Sequence, residues 1–175
     1  MVKAILINGA DRVQSRLTGV QQIIEKQLQA KGVEVETLYV HQLPAEDLIR
    51  ANFASPAIVE AVQKVGASDI VVVLTPIFKG SYTGILKTFI DLLPQQGLVD
   101  KIAVPVAIGG SIAHLLALEY ALNPVLSILG ASTIISPIYV VDKQVARTED
   151  GFTVDEEIIA RIERVIETVP VKQHV

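Results

Sequence analysis

Three short strings carry the residues whose types and spacing suit chemistry. The first, GADRVQSRLTG (residues 9–19), follows a β-rich run and leads into a helical pattern. A helix N-terminus there offers free N–H groups and a partial positive charge, which suit a phosphate. Ser15 and Thr18 add hydroxyls, and Arg12 or Arg16 adds a charge-assisted bond; Ser15 is equally a plain helix N-cap. The second string is TPIFKGSYTG (75–84). Pro76 ends a strand sharply, and Gly80 and Gly84 let the backbone approach a flat ligand. Phe78 and Tyr82 offer apolar faces, or else pack in the core or an interface. Lys79 offers a cation to an anionic group, or is simply solvated. The third string, GGSIAH (109–114), puts Gly109 and Gly110 after a buried run, Ser111 at a cap and His114 in a first helical turn. An isolated histidine of this kind serves structure or binding.

Other chemistries lack their signatures. G-x-x-x-x-G-K-[ST] is absent and Gly9 has no G-x-G-x-x-G partners, which disfavours a nucleoside triphosphate and a tightly held dinucleotide. His, Asp and Glu show no metal-ligand spacing, and no G-x-S-x-G elbow presents a serine nucleophile. With no cysteine, a disulfide scaffold, a thiolate zinc site and a thiol nucleophile are excluded. A net charge of −4 with no basic block makes nucleic acid a poor partner. A monophosphate such as FMN remains.

These strings need a frame. In 175 residues, half of them hydrophobic, one domain with a large core is expected. Short β-rich runs at 3–8, 33–39, 69–74, 102–108 and 132–141 alternate with helical stretches at 15–31, 55–66, 83–93, 111–129 and 154–168. The central runs IVVVL and IAVPVAI are apolar on both faces, as in a sheet covered on both sides. The pattern predicts an α/β fold, a flavodoxin-like three-layer sandwich with a parallel five-stranded sheet in order 2-1-3-4-5. All three strings then fall at the carboxyl ends of the strands, beside the switch point between strands one and three. The segment after residue 168 reads as a frayed tail.

The mean hydropathy of +0.46 is high, yet no run approaches the roughly 20 apolar residues of a membrane span. The surplus is assigned to subunit contacts. Residues 112–129 are apolar almost all round, with Glu119, Asn123 and Ser127 on one narrow stripe, so a second buried face is expected against another subunit. Pro124 has no N–H, so the carbonyl of Tyr120 loses its partner in a regular helix, and a kink or a π-type turn follows.

The strings TPIFKGSYTGILKTFIDLLP, GGSIAHLLALEYA and LNPVLSILGA, with PAEDLIRANFASPAI, resemble the NADPH-dependent FMN reductases that supply reduced flavin to two-component monooxygenases, especially the alkanesulfonate type. The similarity runs from about residue 3 to residue 145. It implies a cytoplasmic enzyme, a homodimer or homotetramer, with FMN as substrate or cofactor, NADPH or NADH as donor and a monooxygenase as possible partner. It further implies that Arg12, Ser15, Arg16 and Thr18 hold the FMN phosphate, that Pro76, Ile77, Phe78 and Ser81 lie along the isoalloxazine, and that Gly109, Gly110 and Ser111 complete the site. Lys79, Tyr82 and His114 are further candidates from the same loops, Lys79 toward a nicotinamide nucleotide phosphate or an anionic reduced flavin. In similar reductases a tyrosine at the position of Tyr120 marks a π-helical insertion at a tetramer interface, thought to make flavin exchangeable. The first loop departs from the family's G-S-P-R: the chain reads Gly9-Ala10-Asp11-Arg12, with no hydroxyl at residue 10 and a carboxylate near the phosphate site. Hydride transfer from nicotinamide to flavin requires no general acid or base, so no catalytic residue is assigned. An FMN-retaining quinone or azo-type reductase and a non-catalytic electron carrier on the same fold are the rival readings.

Overall fold

The computed structural model describes residues 1–171. Strand β1 (Lys3–Asn8) is flanked by β2 (Glu34–Tyr39) and β3 (Ile70–Pro76), and β3 by β4 (Ile102–Gly109). Beyond β4 the last strand is split in two. β5 (Thr133–Ile134) pairs with Ile102 and Ala103, and β6 (Ile138–Val141) pairs with Val106 through Gly109. The order β2-β1-β3-β4-β5 and the parallel pairing match the sequence expectation. Pro137 lies in the gap, where it has no N–H for the ladder.

Two helical layers cover the sheet. The period-2 alternation of β1 sends Ala4 and Leu6 to one side and Ile5 and Ile7 to the other. On the first side lie α1 (Arg16–Ala30) and α6 (Glu156–Glu167); on the second lie α2 (Ala45–Ile49), α3 (Pro56–Gly66), α4 (Gly84–Ile90) and the segment ending in α5 (Asn123–Ile128). β3 is buried along its whole length, as its unbroken apolar run requires.

Several elements differ from the sequence expectation. The helix expected over 111–129 is a 3-10 turn (Ile112–His114), a π-helical turn (Leu118–Leu122) and α5. Asn123 N–H bonds to the carbonyl of Leu118, five residues back, next to Pro124, so the π-type turn is the outcome. Residues 145–154 form an antiparallel hairpin, β7 (Val145–Thr148) and β8 (Gly151–Val154), absent from the sequence expectation, and α6 begins at Glu156 rather than at the expected residue 154. Ser55, whose type and place before Pro56 suggest a helix N-cap, does not cap α3; its hydroxyl donates to Asp47 Oδ2 at 2.6 Å. Val169 is buried, and its carbonyl accepts a bond from Lys31 Nζ; the rest of the expected tail, 172–175, lies outside the described residues.

Candidate functional site

The first loop is held from beneath before it reaches any ligand. Asn8 is fully buried at the end of β1; its Oδ1 accepts from Ala10 N at 2.9 Å and its Nδ2 donates to Gln21 Oε1 at 2.6 Å. Gln21 in turn donates to Tyr39 Oη at 3.1 Å, and His41 Nδ1 lies 3.0 Å from the Ala10 carbonyl. These bonds fix residues 8–10 in a local turn of the kind asparagine favours. Gly9 is required here, because a Cβ would lie 2.6 Å from Leu86 Cβ. Ser15 caps α1, its Oγ accepting from Leu17 N at 3.3 Å.

The second loop is tied to the first. Thr83 Oγ1 donates to the Gly9 carbonyl at 2.7 Å and accepts from Leu86 N at 3.0 Å, so one buried hydroxyl caps α4 and joins two loops. Thr75 Oγ1 accepts from Thr83 N at 3.0 Å. Between them Phe78 and Ser81 exchange backbone bonds across a two-residue turn, with Lys79 at φ 53° and Gly80 at φ 77°. Positive φ at both central positions is the type I′ pattern, and it leaves Phe78 half exposed.

The third loop is positioned by Tyr139 of β6. Its hydroxyl donates to the Ser111 carbonyl at 2.5 Å and occupies the space that a Cβ at Gly109 would need. Burial, then the nearby charge of Asp142, pushes the Tyr139 phenol above its ordinary value, so it remains a donor.

Together the loops border an open cleft of about 170 Å³, lined by Asp11, Arg12, Ser15, Arg16, Pro76, Ile77, Phe78, Ile108, Gly109, Asp142 and Arg147. One end is cationic and begins at the start of α1; the other is walled by Pro76, Ile77 and Phe78. Arg16 Nε donates to the Val145 carbonyl at 2.9 Å, and Arg147 Nε donates to the Gln14 carbonyl at 2.9 Å. Arg12 Nε lies 3.5 Å from Asp11 Oδ2.

Of the residues expected from sequence, Arg12, Ser15, Arg16, Pro76, Ile77, Phe78 and Gly109 line this cleft. The others do not. Thr18 is buried and donates to the Val13 carbonyl at 2.7 Å, so its hydroxyl shapes the loop. Lys79 sits at an exposed turn tip, and Ser81 and Tyr82 are half-buried outside the lining. Gly110 approaches Asp142, while Ser111 and His114 are exposed beyond the rim. Tyr120 is 77% exposed on the outer face, four residues before Pro124. Asp142 and Arg147 were missed. They belong to the turn and hairpin after β6, and no local motif marks that segment. The nearest signal was Gly151 beside Asp150, a turn pair between residues of β character. Among the described residues no group of three His, Cys, Asp or Glu is placed to hold a metal, and no helix is long and apolar enough to cross a membrane.

The arrangement fits FMN. The cationic end suits a phosphate monoester and the apolar wall suits a tricyclic ring. Comparison with known proteins agrees. The family model for NADPH-dependent FMN reductase matches residues 2–146. An FMN reductase (NADPH) of Pseudomonas putida KT2440 is 45% identical over 145 residues, covering 83% of this chain and 74% of the relative. One from Escherichia coli K12 is 38% identical over 144 residues, covering 82% and 75%. The crystal structure of an NADH:FMN oxidoreductase (EMOB) in apo form superposes with a TM-score of 0.86 at 30% identity, covering 95% of this chain and 87% of that one. With a family model spanning most of its length and relatives of this identity, the chain belongs to the NADPH-dependent FMN reductase family.

Proposed function

We propose that this NAD(P)H:FMN oxidoreductase takes FMN as an exchangeable substrate and passes reduced FMN to a separate monooxygenase of the sulfonate type. The observation that carries the exchangeable reading is the exposure of the cleft wall: Phe78, the aromatic ring among the described residues that line it, is 50% exposed. The monooxygenase partner follows the resemblance of residues 75–94 and 109–131. A further relative, the NADH-dependent FMN reductase SfnF of Pseudomonas putida, is 28% identical over 176 residues. Consumption of reduced pyridine nucleotide supports a cytoplasmic enzyme.

FMN, when bound, supplies the acceptor for a hydride from the nicotinamide. The chain's own residues bind, orient and shield. Arg16, Ser15 and the first N–H groups of α1 take the phosphate, with Arg12 at the rim. Asp142 offers a carboxylate acceptor to sugar-type hydroxyls. Pro76, Ile77 and Phe78 form the apolar wall against which flat rings stack, and stacking in a fixed order is the rate-enhancing contribution. Lys79, at its exposed turn tip, offers a cation to a nicotinamide nucleotide phosphate or to an anionic reduced flavin. Thr83, Tyr139 and Asn8 hold the three loops in register.

Self-association completes the reading. Ile112, Leu116, Tyr120 and Ile128 are each at least 59% exposed along one segment, and exposed apolar side chains in such number suit an interface. A homodimer or homotetramer would bury it.

The test is stopped-flow absorbance at the flavin bands with NADPH, NADH and limiting FMN. The expected result is colourless purified protein whose NAD(P)H oxidation requires added FMN. Yellow protein that turns over without added flavin would favour a retained cofactor and a quinone or azo-type acceptor. Absence of NAD(P)H oxidation with FMN present would leave only an electron carrier.

A further inference from the structure

We propose that Arg147 recognises the phosphate monoester of the flavin substrate, so that the β7–β8 hairpin supplies a cation which the first loop has partly given up. This rests on the reading of the cleft as an FMN site.

The first loop is poorly equipped for an anion. Ala10 has no hydroxyl, and Asp11 places a carboxylate on the cleft and draws Arg12 to 3.5 Å. Three arginines and two aspartates line the cleft, which leaves one net positive charge; without Arg147 the balance is zero. A phosphate monoester carries about −1.5 to −2 charges at neutral pH. Arg147 therefore decides whether the cleft attracts such a group.

Its position is built. Arg16 reaches across to the Val145 carbonyl of the hairpin, and Arg147 reaches back to the Gln14 carbonyl, one residue before the α1 cap, each through Nε at 2.9 Å. The two guanidiniums thus exchange anchors over one junction. Each has its Nε committed to a backbone carbonyl and keeps its terminal nitrogens for other acceptors, in the planar fork that matches phosphate. The hairpin cannot drift, because Val145 is buried and Phe152 packs so closely on Gly19 that a Cβ there would lie 2.8 Å from Phe152 Cβ. The family match ends at residue 146, one short of Arg147, so it assigns nothing to this side chain. Anchorage beside Gln14 and Ser15 favours the flavin phosphate over a phosphate on the nicotinamide nucleotide.

The experiment titrates FMN and riboflavin separately into wild-type protein, Arg147→Ala and Arg147→Lys, without pyridine nucleotide, following flavin fluorescence. Parallel assays measure the NADPH-to-NADH preference. The expected result is that Arg147→Ala weakens FMN about tenfold and leaves riboflavin unchanged. Arg147→Lys should restore part of the loss, and the nucleotide preference should not move. Arg147 is exposed, so both variants should fold with an unchanged melting temperature. Equal losses for FMN and riboflavin would reduce the hairpin arginine to a structural clasp and overturn the proposal. So would a change confined to NADPH against NADH, which would assign the guanidinium to the nucleotide. If wild-type protein bound neither flavin, the FMN reading itself would fall, a result distinct from failure at Arg147 alone.

Discussion

The two helical layers bury the same kind of surface against the sheet and present opposite surfaces to the outside. In the α1/α6 layer, Leu17, Ile24, Leu28, Ile158 and Ile162 are fully or almost fully buried, and the outer face is polar. Its contacts are of the type that joins Gln27 to Glu163 at 2.9 Å and Lys31 to the last carbonyls of α6. In the other layer Leu86, Phe89 and Leu126 are buried as deeply, yet Ile49, Phe53, Ile112, Leu116, Tyr120 and Ile128 remain outside. Among the described residues, every large apolar side chain exposed on a helical element lies in this second layer. The difference follows from pattern: α6 carries one apolar stripe at helical spacing, whereas 112–129 is apolar nearly all round. One layer buries its large apolar side chains within the chain; the other leaves several of them exposed.

The most disruptive tests ask whether the layers are equal on their inner faces. Phe89→Ala should cost about 3–5 kcal/mol and Ile24→Ala about 2–5 kcal/mol in urea unfolding, because both side chains are fully buried. A much smaller loss at Phe89 would mean that the second layer packs only when covered. The outer faces come next. Leu116→Asp should break the assembly in sedimentation while changing subunit stability by no more than about 0.5 kcal/mol; Gln22→Asp, on the outer face of α1, should change neither.

Tyr139→Phe should cost about 1 kcal/mol, the loss of one hydrogen bond, and should weaken FMN binding through the third loop without altering assembly. The smallest effect is expected at Asp47, which joins α2 to the start of α3. Hydrogen bonds from Ser55, then Asn52, hold its carboxyl below the ordinary 3.8. A carboxylate lowered in the folded state stabilises fully above its unfolded value and loses that contribution as pH falls through the folded one. Asp47→Asn should therefore melt slightly earlier than wild type at neutral pH, with the gap closing in acid below 3.8.

Much of this was legible in the chain. The runs IVVVL and IAVPVAI announced strands buried on both faces, and punctuation by Thr75-Pro76 and Gly109-Gly110 placed two loops at their carboxyl ends. Pro124 announced a kink or a π-type turn, since a missing N–H is a local fact, and the fold decided for the π-type turn. The hairpin was not legible: its residues alternate weakly, and β7 and β8 are stabilised by packing of Val145 and Phe152 on α1, a contact more than 120 residues away in sequence. Asp142 and Arg147 were lost with it.

The sequence alone therefore determined the strands of the parallel sheet, their order and which three loops meet, because hydrophobic period and turn residues act over a few positions. Only the tertiary structure decided which side chains of those loops face the cleft. It turned Thr18 inward to Val13, lifted Lys79 to a turn tip and brought Arg147 to the cleft. Side-chain direction in a loop is set by hydrogen bonds to distant partners, as Thr83 to Gly9 and Arg147 to Gln14 show, and such partners leave no periodic trace in a chain.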